Sequence, residues 1–346
     1  MKKNIKENIK NILIIQTAFL GDIVLTIPLI NTIKKNYPQA RLTILTTPIG
    51  KKILEGQYSI DHIIEYDKNG YEKGFSSFRA FIKLIQEYKF DWAVLPHRSL
   101  RSALLVWFAG IPRRWGYDRS EGRWFLTKKI KYKYGIHEIE RNFDLVRDVC
   151  GSFDTTIKFP DYDSVSDIKK NVKAGRKIIG VHPGSVWATK RWPLEYFIEL
   201  IKKLVNDGRV AVVFGDKSDN AISNEIEKTF KDAPNVINLI GKTNIKELIG
   251  SIRDLSCYVS NDSGPMHIAA ALKIPQIAIF GPTVKKFGFF PYSENAKVLE
   301  LDIDCRPCSP HGTSKCPKKH FRCMRDITPD MVYDEYLKKI AILKAE

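Results

Sequence analysis

The stretch CYVSNDSGPMHIAAALKIPQIAIF, residues 257–280, carries a strand, a tight polar turn, a helix and a second strand within one short span. Residues 257–260 hold the aromatic Tyr258 and β-branched Val259, and 261–264 are small and polar. Pro265 opens a helix over 265–272, and 276–280 is again a compact apolar run. Two strands joined through a helix cannot form a hairpin, so they lie parallel in one sheet. Upstream the same alternation holds, with strands at 177–182, 210–214 and 235–239 and helices at 194–205, 220–230 and 245–252. The first half repeats it: strands at 11–16, 41–46, 63–66 and 91–96, and helices at 23–36, 75–88 and from Leu100. Strand–helix alternation of this kind predicts an α/β fold with parallel sheets covered on both faces.

Between the halves, 158–173 is polar, carries Pro160 and several aspartates, and has no strand pattern. It reads as a linker between two doubly wound, Rossmann-like domains, 1–160 and 174–328, with ligands at the C-terminal strand ends. A final helix over 329–346 has no strand after it and is free to cross back onto the first domain.

Composition narrows the partners. The 346 residues suffice for two cores, and the formal net charge of +17 implies an acidic partner: nucleic acid, an anionic membrane surface or a phosphorylated substrate. The basic N-terminus holds an apolar run of only 12–15, too short for a signal-peptide core. No window is apolar enough to span a membrane. The expectation is a cytoplasmic protein.

Three loops hold residues suited to chemistry. In the first, Gly21 permits a tight turn and Asp22 sits where a helix dipole favours its ionised form, although a plain helix cap explains the same carboxylate. The second runs from His182-Pro183-Gly184-Ser185 to Thr189-Lys190-Arg191-Trp192-Pro193, a small-residue turn with a cation, able to hold phosphate without metal. The third, within the opening stretch, sets Asp262, Ser263 and Gly264 at a helix start whose free amides form an anion site, with His267 one turn inside. In the first domain Arg98, Arg101, Arg113 and Arg114 follow predicted strands, and their guanidinium forks suit a phosphorylated or carboxylated acceptor.

Two other patterns leave alternatives open. Cys305, Cys308, Cys316 and Cys323 are spaced so that four thiolates can hold a structural zinc; reduced thiols pinning a loop, or a labile disulfide, fit the same spacing. Asp161-Tyr162-Asp163 and Asp302-Ile303-Asp304 raise metal-dependent sugar transfer as an alternative. Both fall outside the strand-end loops and read as coincidence.

Taken together, the motifs resemble glycosyltransferase family 9, the ADP-heptose:lipopolysaccharide heptosyltransferases, and most of all its heptosyltransferase II branch. The resemblance rests on GDIVLTIP (21–28), HRSLRSALL with IPRRWGY, ERNFDLV (140–146), HPGS…TKRWP, NDSGPMHIAAAL (261–272) and the CRPC…CP…FRCMRDIT tail, in order over nearly the whole chain. It implies a GT-B architecture with two domains facing a cleft, inverting chemistry and no required metal or cofactor. Asp22 matches the general base and Lys190 a lysine near the donor phosphates. Asp262 and His267 match the donor-site motif, and Ser185, Thr189, Ser263 and Gly264 fall beside them. Thr243, in Gly241-Lys242-Thr243, resembles the adenine pocket, and Lys217 or Asp219 the ribose side. Family members vary at the positions of Ser263 and Pro265, so those two roles do not transfer. The implied donor is ADP-L-glycero-D-manno-heptose, and the implied acceptor a lipopolysaccharide core precursor receiving its second heptose. That precursor would be met by peripheral contact with the anionic inner leaflet. A family 9 enzyme with another donor or glycan is the nearest alternative. A nucleic-acid-binding protein is suggested by charge alone, with no recognisable module to support it.

Overall fold

The computed structural model describes residues 9–67 and 74–343. The basic segment 1–8 and the last three residues of the expected final helix lie outside this range. The chain divides into two units, Met1–Pro160 and Asp161–Glu346.

In the first unit the parallel strands are β1 (Asn11–Gln16), β2 (Arg41–Thr46), β3 (His62–Glu65), β4 (Trp92–Leu95), β5 (Arg113–Tyr117) and β6 (Lys128–Ile130), in spatial order β3-β2-β1-β4-β5-β6. Between and after them come α1 (Leu20–Asn36), α2 (Pro48–Leu54), α3 (Phe75–Glu87), α4 (Leu100–Phe108) and α5 (Glu138–Asp144). β1 and β4 are fully buried but for the first residue of β1, which explains their unbroken apolar runs.

The second unit repeats the plan. Its parallel strands are β7 (Ile178–His182), β8 (Val210–Val213), β9 (Val236–Asn238), β10 (Cys257–Asn261), β11 (Gln276–Ile279) and β12 (Ala296–Leu299), in order β12-β11-β10-β7-β8-β9. Counted within the unit, this is the first sheet's order. The helices are α6 (Ser166–Lys173), α7 (Leu194–Asn206), α8 (Asn220–Thr229), α9 (Ile245–Arg253), α10 (Gly264–Ala271), α11 (Arg322–Arg325) and α12 (Pro329–Leu343). In such sheets the chain winds one way and then the other, and the loops after the two central strands splay apart to leave a ligand crevice. Those strands are β1 and β4 in one unit, β7 and β10 in the other.

Three expectations need correction. The supposed linker contains α6, whose Ile168 is fully buried, so its second half belongs to the second unit. The final helix belongs to the second unit: α12 packs on α7 and β11, and Val332 and Tyr336 fill the second core beside Trp192 and Phe197. Arg113 and Arg114 do not follow a strand but begin β5, in register with Trp92 and Ala93 at the start of β4. They stand at the opposite end of the sheet from the loop carrying Arg98.

Candidate active site

In the second unit β7 ends at His182 and β10 at Asn261, side by side. Asn261 is fully buried and joins the two loops that follow. Its amide donates to Pro183 O at 2.8 Å, and its carbonyl oxygen accepts from Trp192 N at 3.0 Å. Trp192 is anchored in turn by its indole N–H on Ile327 O at 2.8 Å. Gly184 is needed for close approach, since a Cβ there would lie 2.3 Å from Asp219 Oδ2. This bracing brings Lys190 to Asp262, with Nζ 2.6 Å from Oδ2, and leaves the two side chains only 14% and 9% exposed. Thr283 Oγ1 donates to the same oxygen at 2.6 Å, and Ser185 Oγ to Asp262 O at 3.4 Å.

Ser263 is the N-cap residue of α10 but makes no side-chain cap bond, and Pro265 occupies the first turn. The first turn of α10 thus has no side-chain cap, and it follows directly on Asp262, which holds Lys190. His267 is buried within α10. The imidazole of His182, bonded to Tyr258 Oη at 3.0 Å, is pushed down by burial to a pKa of about 4, so it is neutral and Lys190 supplies the positive charge. Gly241 lies against Lys217, which sets the loop bearing half-buried Thr243 beside the one bearing Asp219. Burial raises the Asp219 carboxyl, and Arg191 approaches it at 3.7 Å.

Thr189 is a correction within this group. It is buried, its Oγ1 donates to Thr313 O at 2.9 Å, and it accepts from Thr313 N at 2.8 Å. The hydroxyl is spent on the cysteine-rich tail. Gly312 of that tail sits so close that a Cβ would lie 2.9 Å from Trp187 Cβ and 3.2 Å from Lys190 Cγ. The tail thus braces the lysine, which no spacing rule suggested.

Its four cysteines form no disulfide, and the charges of Cys305, Cys308 and Cys316 all act on Cys323. Cys323 is packed in the second core, where burial raises its thiol to a pKa of about 11, and the Cys308 thiol donates to Cys305 O at 3.2 Å. Among the described residues no group of three or more His, Cys, Asp or Glu is gathered to hold a metal. The Asp-x-Asp string at 161–163 is engaged in ion pairs: Asp161 with Arg253 at 2.9 Å and Asp163 with Lys169 at 2.5 Å.

In the first unit, α1 starts earlier than its apolar pattern suggests, so Asp22 is not the cap but lies within the first turn, half-buried, behind Phe19. The loop is shaped by Gln16, which accepts from Ala18 N at 3.1 Å and donates to Thr26 Oγ1 at 3.0 Å. The neighbouring loop after β4 brings His97 Nδ1 to 3.4 Å from Thr17 Oγ1, and Arg98 follows with its guanidinium 4.5 Å from the Tyr132 ring centre. Two residues that sequence reasoning left without a role stand here. Glu138 and Arg141 form a buried ion pair at the start of α5, which packs on α1. Burial, reinforced by the charge of Asp22, raises the Glu138 carboxyl to a pKa of about 7 despite the arginine. The ERNFDLV motif was the available signal, but it did not mark the carboxylate two residues ahead of it.

Of the other arginines, Arg101 packs over Tyr66 and Phe78 at 5.2 and 5.3 Å. Arg114 donates from Nε to Phe125 O at 2.7 Å and from Nη1 to Ile111 O at 2.5 Å. It is a tie between β5 and its flanking loops, not an acceptor ligand.

Comparison with known proteins gives the family and the fold. The model of glycosyltransferase family 9 (heptosyltransferase) matches residues 78–319. The chain belongs to glycosyltransferase family 9. It is 28% identical to lipooligosaccharide heptosyltransferase 2 of Campylobacter jejuni over 94% of this chain and 97% of the relative. It is also 28% identical to lipopolysaccharide heptosyltransferase 2 of Escherichia coli, with the same coverage. The solved structure of E. coli ADP-heptose lps heptosyltransferase II matches with a TM-score of 0.76 and 26% identity, over 96% of this chain and 99% of that one. The two doubly wound units are those of the GT-B fold that the motifs implied.

Proposed function

We propose that this glycosyltransferase moves heptose from ADP-L-glycero-D-manno-heptose onto the lipopolysaccharide inner core, adding the second heptose with inversion. The observation that carries the reading is the Lys190–Asp262 pair at the open start of α10. It combines a held cation with free amides at a central strand end, the arrangement that receives a diphosphate. The names of the full-length relatives support heptose as the sugar.

In this reading Asp22 accepts the proton of the acceptor hydroxyl as that oxygen attacks the anomeric carbon and the bond to the nucleotide diphosphate breaks. General-base help of this kind contributes about 10²–10⁴ in rate. Lys190, Ser185 and the α10 amides stabilise the charge that grows on the leaving diphosphate. The loops of Thr243 and Asp219 take the nucleoside. Arg98 meets an anionic group of the acceptor. No metal is required. The enzyme works on the cytoplasmic side, in peripheral contact with the anionic inner leaflet; among the described residues no helix is long and apolar enough to cross a membrane.

The test is incubation with ADP-heptose and heptose-deficient core acceptors, read by mass spectrometry, with and without EDTA. One added heptose, unaffected by EDTA, is expected. Consumption of only a different sugar nucleotide would sink the donor assignment. Activity lost to EDTA and restored by magnesium or manganese would overturn the metal-free mechanism.

A further inference from the structure

The first unit carries an exposed aromatic surface that the chemistry does not use. Trp107 and Phe108, at the end of α4, are 44% and 49% exposed, and Trp124, in the crossover from β5 to β6, is 72% exposed. They belong together. Trp107 packs on Phe108 with ring centres 4.6 Å apart and on Phe125 at 5.1 Å, and Phe125 adjoins Trp124 in the chain. The crossover is pressed onto α4 at Gly122, where a Cβ would lie 2.3 Å from Ala103 Cβ. Large rings left in water this way mark a contact surface.

Charge identifies the partner. Arg123 and Lys129 hold their cationic groups 4.9 and 5.1 Å from the Trp124 ring centre. From Pro112 to Tyr134 the chain has eight lysines and arginines against one aspartate and one glutamate. Two of these cations are paired within the protein, Lys128 with Asp148 at 2.6 Å and Lys133 with Asp144 at 2.8 Å. An exposed indole flanked by cations suits the boundary between water and acyl chains, where the ring is held at headgroup depth and the cations meet lipid phosphates. α4 supplies the geometry. It begins beside Arg98 and ends at Phe108, a rise of about 13 Å, so the patch lies only that far along the unit from the acceptor loop. A substrate whose hydroxyl stands on an extended headgroup above its lipid would bridge that distance.

We propose that Trp107, Phe108 and Trp124, with Arg123 and Lys129, dock the first unit on an anionic bilayer surface. This rests on the reading that the acceptor is membrane-borne. The test is sedimentation of the full chain with vesicles of phosphatidylglycerol and phosphatidylethanolamine, against phosphatidylcholine alone, for wild type and for Arg123→Ala/Trp124→Ala/Lys129→Ala. Wild type should bind the anionic vesicles only. The variant should lose affinity by about fivefold for each cation removed, and more for the indole, while turning over a water-soluble deacylated acceptor normally. No binding by wild type, or equal binding by the variant, overturns the proposal. So does a wild-type dimer that the variant breaks, which would mean a second copy covers the patch. Normal turnover of the soluble acceptor without vesicle binding defeats this proposal alone. Vesicle binding without heptose transfer defeats only the assigned reaction.

Discussion

Asp262→Asn is the most informative single change, because it separates holding Lys190 from touching the donor. At 2.6 Å and an effective dielectric constant of about 20, the pair attracts by roughly 6 kcal/mol before the cost of desolvating both ions. Removing one partner of a buried pair strands the other and costs about 3–5 kcal/mol. Because Lys190 keeps 14% exposure and Thr283 retains an oxygen to donate to, the lower end of about 3 kcal/mol is expected. For a unit of this size each kcal/mol moves the melting temperature by about 2–4 °C, so Asp262→Asn should lower it by about 6–12 °C. Saturating ADP should restore more stability to the variant than to wild type, since the diphosphate meets a lysine with no carboxylate beside it. The control is a double-mutant cycle with Lys190→Met, followed by thermal and denaturant unfolding. The double variant should cost less than the sum of the singles, with a coupling of at least about 1.5 kcal/mol. Single losses that add to within about 0.5 kcal/mol would refute the pair as an energetic unit.

Asp22→Asn should lower kcat by about 10²–10⁴ with ADP affinity unchanged; near-normal turnover would reduce Asp22 to a helix-dipole partner. Lys190→Ala should cost about 10²–10³ in turnover, read by steady-state kinetics with ADP-heptose. Arg98→Ala should raise acceptor KM about 10- to 100-fold, as loss of a charge-assisted bond does. Arg114→Ala should lower the melting temperature and leave that KM alone. Stability should also depend on pH with two opposing slopes. His182, held neutral at about 4, contributes stability present above the unfolded value of about 6.5 and lost as pH falls toward 4. Glu138, raised to about 7, contributes stability present below its ordinary value near 4.5 and lost as pH rises toward 7. Melting temperatures from pH 4 to 8 should show His182→Gln removing the first slope and Glu138→Gln the second; unchanged slopes would contradict the assignments.

The doubly wound plan was legible because buried parallel strands such as Trp92–Leu95 and Val210–Val213 are unbroken apolar runs. Short or half-exposed elements were not. Lys128–Ile130 has three residues and no alternation to read, and Arg113–Tyr117 opens with two arginines that look like a loop. That second misreading placed Arg113 and Arg114 at the wrong end of the sheet. α12 was visible as a helix, but its partner was not, since an amphipathic stripe says that a face is buried and not against what.

The site shows the same division between residue type and pairing. Spacing put Ser185, Lys190, Asp262 and Ser263 after strands, and strand order makes those strands adjacent. What spacing could not give was which polar group is spent inside the protein. Thr189 looks like a ligand and is a tie to Thr313; Asn261 looks like a turn residue and joins the loops after β7 and β10. Such ties run between segments far apart in sequence, so they depend on tertiary packing that no local pattern encodes. They also explain why a transferase can leave its tail on the second unit. In the proposed reading Lys190 meets a diphosphate, and a cation held before the substrate arrives serves best, because ordering it during the reaction would subtract from the stabilisation it provides. Asp262, Thr283 and Gly312 hold Lys190 from three separate segments of the chain, and the lysine is therefore in place in the free enzyme.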